Sequence, residues 1–121
     1  LWNDGVVIAG KYFGTTANAP YNLGRTATHE VGHYLNLRHI WGDGNCATDY
    51  VNDTPTQQDK NFGKPTYPQY DLCGGVNRSI QFMNYMDYVD DAAMYMFSAG
   101  QKTRMQAITN ASGARSGLRI Y

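Results

Sequence analysis

The sequence predicts a single α+β domain in which loops outnumber regular elements, and three stretches support this prediction. Residues 6–8 form a short apolar run of β-branched side chains after a turn signal, which is typical of a strand. Residues 23–35 repeat apolar side chains at intervals of four, which predicts a helix with one buried face. Residues 98–101 form a capping box, which predicts a second helix that continues to about residue 109.

Composition argues against two classes of partner. Ten basic and ten acidic residues balance, so we expect no attraction to nucleic acid or to an anionic membrane. No apolar run reaches the roughly 20 residues that span a bilayer. The chain begins at Leu1 without a visible signal peptide, so we interpret it as a processed or excised piece. Nothing in the sequence predicts an oligomeric state.

All three histidines lie in eleven residues at the end of the first predicted helix and just beyond it. His29 and His33 are four residues apart, which places them one helical turn apart on the same face, about 6 Å along the axis. Two imidazoles in this arrangement can bind one Zn²⁺. Glu30 directly follows the first histidine, where its carboxylate can reach a water molecule on the metal.

The third histidine, His39, follows His33 by six residues. It can reach the same metal only if the helix stops and the chain turns back. Asn36 is the predicted stop, because Asn is second only to Gly in adopting the left-handed backbone that ends helices. An HExxH match alone is about as often a chance match on the helix of a soluble protein as it is a zinc site. The third histidine and the helix stop favour zinc binding by His29, His33 and His39.

The stretch from His29 to His39, HEVGHYLNLRH, resembles the long zinc signature of the metzincin peptidases. Asn36 in place of the usual Gly, the following Ile-Trp-Gly-Asp at residues 40–43 and the Asn-Tyr-Met-Asp-Tyr at residues 84–88 are similar to the pappalysin family, in its ulilysin-like branch. The resemblance covers most of the chain, from about residue 4 to residue 105.

This resemblance implies a catalytic site. Zinc would hold a water molecule in its fourth position, and Glu30 would act as the general base. Met86 would belong to the Met-turn, a tight turn whose methionine lies beneath the metal, although a methionine is more often a simple core residue. Tyr88 corresponds to a tyrosine that approaches the metal and donates its phenol to the developing oxyanion.

The resemblance also implies a fold: a metzincin-like zinc peptidase catalytic domain of α+β class that occupies residues 1–121. We expect a small, truncated upper sheet, an active-site helix and a loop-rich lower subdomain with a C-terminal helix. Only about 20 residues precede the active-site helix, so the N-terminal part of the upper subdomain is expected to be missing. Val6 and Val7 would form the strand along which an extended substrate lies, if they are not an ordinary core strand.

Two acidic residues follow the predicted Met-turn, Asp90 and Asp91. They could be solvated or helix-capping charges. In ulilysin-like enzymes a negative group here lies at the base of the S1′ pocket, so the resemblance implies a preference for Arg or Lys after the cleaved bond.

The segment from residue 42 to residue 71 has no periodic pattern and is long for a loop in a compact domain. A disulfide between Cys46 and Cys73 would constrain it, and we favour this bridge over two free thiols because it suits a secreted enzyme. A calcium ion is a second candidate, with Asp49, Asp53 and Thr54 as oxygen ligands. A solvated acidic loop is the alternative, but the resemblance implies structural calcium in this loop.

We therefore predict a secreted zinc-dependent endopeptidase that acts on peptide or protein substrates. The first alternative is a zinc-stabilised binding module on the same scaffold that no longer cleaves, although the intact Glu30 argues against it. The second alternative is a zinc hydrolase that acts on a non-peptide bond. The presumed substrate strand favours peptides over that option.

Overall fold

A computed structural model describes residues 4–118 of the chain. It confirms the α+β class, with two α-helices, one two-stranded sheet and three short 3-10 helices. In chain order these are a 3-10 helix at Gly10–Tyr12, α1 at Arg25–Tyr34, β1 at Tyr70–Cys73, β2 at Val76–Ser79, a 3-10 helix at Asp91–Ala93, α2 at Ala99–Thr109 and a 3-10 helix at Ser116–Leu118.

The predicted strand at residues 6–8 is wrong. These residues form no regular element, and the side chains of Val6 and Val7 are 38% and 91% exposed. A β-branched run becomes a strand only when another segment pairs with it, and no segment among residues 4–118 does so. The observed sheet is instead an antiparallel hairpin of β1 and β2, closed by Gly74 and Gly75, which both have positive φ. A Gly-Gly pair between two short strands is a recognised hairpin signal that the sequence analysis missed.

Helix α1 has close to the predicted bounds but a different buried face. Its N-cap is Gly24, and the carboxylate of Asp91 accepts hydrogen bonds from the backbone N–H groups of Leu23 and Arg25 at 2.9 and 3.1 Å. Two of the four residues of the apolar repeat do not pack inward, because Leu23 is 49% exposed and Val31 is 44% exposed. The helix buries the side that carries His29 instead. A repeat of four therefore identified the helix but not its buried face.

The core lies under that side of α1, in two clusters. The first consists of Leu37, Ile40, Trp41 and Met86, with Tyr88, Phe97 and Met105 packed against it. The second consists of Phe82, Met83, Val89 and Met94. Most of these residues belong to loops rather than to helices or strands, so the two loops that follow α1 and precede α2 are the parts of the chain that form the core.

Helix α2 and the disulfide follow the predictions. The hydroxyl of Ser98 accepts the N–H of Gln101, and the side chain of Gln101 accepts the N–H of Ser98, so the capping box is complete. Cys46 and Cys73 form a disulfide that closes a separation of 27 residues. On the chain-entropy model such a bridge stabilises the fold by about 3–4 kcal/mol. None of the helices among residues 4–118 is long and apolar enough to cross a bilayer.

Candidate metal centre

The three histidines meet at one point. Nε2 of His33 lies 3.1 Å from Nε2 of His29 and 3.1 Å from Nε2 of His39. Within residues 4–118 this is the one group of three or more His, Cys, Asp or Glu side chains whose ligand atoms are close enough to share a metal ion.

The hydrogen bonds of the other ring nitrogens place a proton on Nδ1 of each ring, and in the neutral ring this leaves a lone pair on Nε2. Nδ1 of His29 donates to the carbonyl of Tyr85 at 2.6 Å, and Nδ1 of His33 donates to the carbonyl of Leu37 at 2.9 Å. Nδ1 of His39 donates to the carboxylate of Asp43 at 2.5 Å. A neutral imidazole with its proton on Nδ1 has an acceptor at Nε2.

Three acceptors that face one another at this distance repel unless a cation lies between them. Zinc binds imidazole nitrogen at about 2.0–2.1 Å in tetrahedral geometry, which separates ligand atoms by roughly 3.3 Å. Burial also lowers the pKa of His29 to about 4, which keeps this ring neutral and able to bind a metal at neutral pH. The donor set therefore fits the zinc ion that the sequence predicts.

The chain reversal that delivers His39 occurs at Asn36, as predicted. Asn36 has φ of +73°, in the left-handed region. The N–H of Asn36 bonds to the carbonyl of His33, and the N–H of Leu37 bonds to the carbonyl of Gly32, each at 2.9 Å. This is the hydrogen-bond pattern of a Schellman motif, which satisfies the last carbonyls of α1 while it turns the chain.

Side chains hold His39 on three sides after the reversal. The indole of Trp41 stacks on its ring, with a centroid distance of 4.3 Å and an interplanar angle of 7°. Asp43 accepts from Nδ1, and the phenol oxygen of Tyr88 lies 3.0 Å from Nε2. The structure thus places the predicted Tyr88 beside the third histidine.

Met86 lies beneath the histidines. Its side chain is fully buried, and a Cβ on Gly32 would lie only 2.5 Å from its sulfur. Gly32 is therefore required for the close approach of this methionine to the helix between His29 and His33. The neighbouring Tyr85 supplies the carbonyl that accepts from His29, so this segment both underlies and orients the site.

Beside the histidines is a cavity of about 260 Å³, and its walls include Glu30, Tyr88 and Asp91. Burial, followed by the charges of Asp43 and Glu30, raises the pKa of Tyr88, so its phenol stays protonated and can donate. Asp91 is buried at the wall while it caps α1, whereas Asp90 does not line the cavity. The cavity therefore combines a carboxylate, a phenol donor and an acidic wall.

The candidate calcium ligands are engaged by donors of the chain itself. The carboxylate of Asp49 accepts the hydroxyl of Thr54 and the N–H of Val51. Burial raises the pKa of Asp49. The carboxylate of Asp53 accepts the N–H of Gly100 and the hydroxyl of Ser98, and these bonds lower its pKa. Asp53 thus contacts the N-terminus of α2.

Three residues of the site have roles that the sequence analysis did not identify. Asp43 and Trp41 support His39, and the only sequence signal was their place in the quoted segment 40–43. Arg25 lines the cavity one turn before His29, with its guanidinium over the ring of Tyr85 at 5.3 Å. Helical spacing from the first ligand could have identified Arg25.

Comparison with known proteins agrees with this geometry. The model of the pregnancy-associated plasma protein-A family matches residues 3–110. The chain is 45% identical over 94 residues to extracellular metalloprotease 1 of Coccidioides posadasii, covering 76% of this chain and 33% of that protein. It is 40% identical over 109 residues to an extracellular metalloprotease of Colletotrichum graminicola, covering 88% of this chain and 38% of that protein.

A solved structure is also similar. Mature mirolysin of Tannerella forsythia, in complex with a cleaved peptide, is 50% identical with a TM-score of 0.90, and the match covers 98% of this chain and 46% of that one. The chain thus spans about a third of the length of the curated fungal relatives and about half of the mirolysin chain.

Proposed function

The chain belongs to the pappalysin peptidases, the family of pregnancy-associated plasma protein-A, and we propose that it forms the catalytic site of an extracellular zinc endopeptidase. The observation that carries the proposal is the convergence of the Nε2 atoms of the three histidines beside a cavity lined by Glu30 and Tyr88. The relatives named above support secretion, because they are described as extracellular metalloproteases. The disulfide is consistent with that location.

The three histidines would hold the zinc ion through Nε2, and the bound ion would acidify a water molecule and polarise the substrate carbonyl. Glu30 then takes the proton from the attacking water as general base and delivers it to the leaving amine. Tyr88 donates its phenol proton in a hydrogen bond to the oxygen on which negative charge develops. The raised pKa of Tyr88 suits this role, because it keeps the donor protonated.

The substrate is proposed to be a peptide or protein. The mirolysin structure, which contains a cleaved peptide, supports this class of substrate. Asp91 supports a preference for Arg or Lys at P1′, because its buried carboxylate lies in the cavity wall and only one of its oxygens accepts hydrogen bonds from residues 4–118. Arg25 lies in the same wall, and its positive charge opposes that preference. The cleavage positions in a peptide with both basic and acidic residues would show which of the two charges, that of Asp91 or that of Arg25, decides the preference.

Calcium in the segment 42–71 stays a prediction. Asp49 and Asp53 offer carboxylate oxygens of the kind that calcium prefers, but both already accept hydrogen bonds from the chain. A calcium ion would therefore have to share or displace those donors. Thermal melts of wild type and Asp53→Asn, with and without calcium, separate a role as calcium ligand from a role as anchor of α2.

The proposal is tested with Glu30→Gln in the purified protein. We expect zinc content and zinc affinity close to wild type, because Glu30 is not a ligand. Peptide hydrolysis should fall by a factor of about 10²–10⁴, the usual contribution of a general base. Zinc content is measured by atomic absorption and hydrolysis with a fluorogenic peptide.

Wild-type hydrolysis must be lost on chelation and regained with zinc. A wild type that binds zinc but cleaves no peptide would favour the binding-module alternative. Near-full activity in the Glu30→Gln variant would contradict the assignment of the general base.

A further inference from the structure

Helix α2 contacts both of the loops that build the metal centre, although none of its residues is a candidate ligand. The first contact is buried. Gln101 is fully buried and exchanges two hydrogen bonds with Asn84: its Oε1 accepts from Nδ2 of Asn84 at 2.7 Å, and its Nε2 donates to Oδ1 of Asn84 at 3.1 Å. The same oxygen of Asn84 accepts the N–H of Met86 at 2.9 Å. The capping box of α2 is thereby connected to the turn beneath the histidines.

The second contact reaches the reversal after α1. Nε of Arg104 donates to the carbonyl of Asn36 at 2.7 Å, across 68 residues of sequence. Asn36 is the left-handed residue that redirects the chain toward His39. The guanidinium of Arg104 also lies over the ring of Tyr50, at 6.0 Å from its centroid. The ring of Tyr50 helps to restrict where the guanidinium can go.

Both contacts come from one face of α2. Gln101 and Arg104 are three residues apart, so their side chains are neighbours on the helix surface. Met105 follows and packs against the core cluster that contains Met86. A single helix face thus fixes the turn below the histidines and the loop that carries the third one.

We propose that Arg104 is a positioning residue for His39, and that it acts by holding the carbonyl of Asn36. This positioning role rests on the proposed zinc site. The Schellman motif satisfies the carbonyls of Gly32 and His33 but leaves the carbonyl of Asn36 to another donor, and residues 36–39 lie outside the helix. Without Arg104 this segment samples more backbone states, and His39 spends less time where it can share a cation with His29 and His33.

The test compares Arg104→Met with Arg104→Lys in the purified protein. Met keeps the stem of the side chain without a donor, whereas Lys keeps a charge and a donor. Lys102→Met is the matched control, because Lys102 lies on the exposed side of the same helix. Zinc affinity is measured by competition with a chromophoric chelator, and the visible spectrum of the cobalt-substituted protein reports the geometry of the site.

We expect Arg104→Met to raise the zinc dissociation constant about 3- to 10-fold, the factor that corresponds to the net contribution of one ordinary hydrogen bond, because this bond is partly exposed and acts on the metal only through the chain. The cobalt bands should shift or weaken. Arg104→Lys should recover part of both effects, and Lys102→Met should match wild type.

Two results would overturn the proposal in distinguishable ways. Wild-type zinc affinity and cobalt bands in Arg104→Met, with a lower melting temperature of the metal-free protein, would show that Arg104 is only a structural tie. A wild-type protein that binds neither zinc nor cobalt would overturn the proposed zinc site itself.

Discussion

His29 and His33 differ from His39 in how the chain holds them. The first two lie on α1, where helix geometry sets their spacing, and backbone carbonyls orient both rings. His39 lies in a segment without regular structure. Its ring is fixed by side chains, namely the stacked indole of Trp41, the carboxylate of Asp43 and the phenol of Tyr88.

This difference predicts which substitutions weaken metal binding. A backbone carbonyl cannot be removed by substitution, so the orientation of the helical pair resists mutation. The ring of His39 is held by side chains, and backbone hydrogen bonds fix only the chain around it. Substitutions outside the ligand set should therefore weaken metal binding mainly through the third histidine.

The largest expected effect comes from Asp43→Ala. The variant removes the acceptor of Nδ1 of His39, so the ring loses its fixed tautomer and orientation. Loss of such an outer partner typically lowers metal affinity by about 10- to 100-fold, and we expect the lower end because Asp43 is exposed. The measurement is the zinc dissociation constant from chelator competition. Asp59→Ala removes an exposed carboxylate elsewhere and serves as the control.

Equal zinc affinities in Asp43→Ala and Asp59→Ala would contradict the expectation that metal binding through His39 depends on Asp43. They would mean that Trp41 and Tyr88 suffice to orient His39. Asp43→Asn should lie between Asp43→Ala and wild type, because an amide oxygen can still accept from Nδ1.

A smaller effect is expected from Asn36→Ala. Alanine at φ of +73° carries the strain of a left-handed residue, about 1 kcal/mol of folding free energy, whereas Asn36→Gly avoids it. Urea unfolding of the metal-free protein measures this difference. Val31→Ala, at an exposed site in the middle of α1, should change stability by no more than about 0.5 kcal/mol.

We thus expect a substitution at Asn36, where the chain reverses, to lower the stability more than a substitution at an exposed position of α1. If Asn36→Ala and Asn36→Gly had the same stability, the left-handed conformation would not be what selects the residue at this position.

The smallest effect is expected from Asp53→Asn, and it depends on pH. The N–H of Gly100 and the hydroxyl of Ser98 hold the pKa of Asp53 below its usual value of about 3.8. The ionised carboxylate therefore stabilises the folded state fully above that value, and this contribution is lost as pH falls through the lowered pKa. The stability deficit of Asp53→Asn should be present at pH 7 and should shrink as the pH falls below 3.8.

Thermal melts at several pH values, with and without calcium, measure this deficit. If Asp53 only anchors the start of α2, calcium should stabilise wild type and Asp53→Asn equally or not at all. A calcium-dependent stabilisation that disappears in Asp53→Asn would show that Asp53 is a calcium ligand.

Much of the fold and site could be predicted because the relevant signals are local. The capping box at Ser98 and the helix of residues 25–34 follow from short-range hydrogen bonds and helical spacing. The strand at residues 6–8 failed because strand formation depends on a partner segment, which propensity does not supply. The predicted inward packing of Val31 is wrong, because a repeat of four identifies one face of a helix but not the segment that covers that face.

Three features of the site could be read directly from the chain: the spacing of the three histidines, the carboxylate next to the first of them and the left-handed stop at Asn36. Helical spacing and the left-handed conformation of Asn36 depend on residues within one or two turns of chain, so short-range geometry is enough to predict them. Two other contacts became visible only in the folded protein: Asp91 caps α1, and Arg104 donates to the carbonyl of Asn36. Those contacts join residues more than 60 positions apart, so they exist only once the loops have packed on one core.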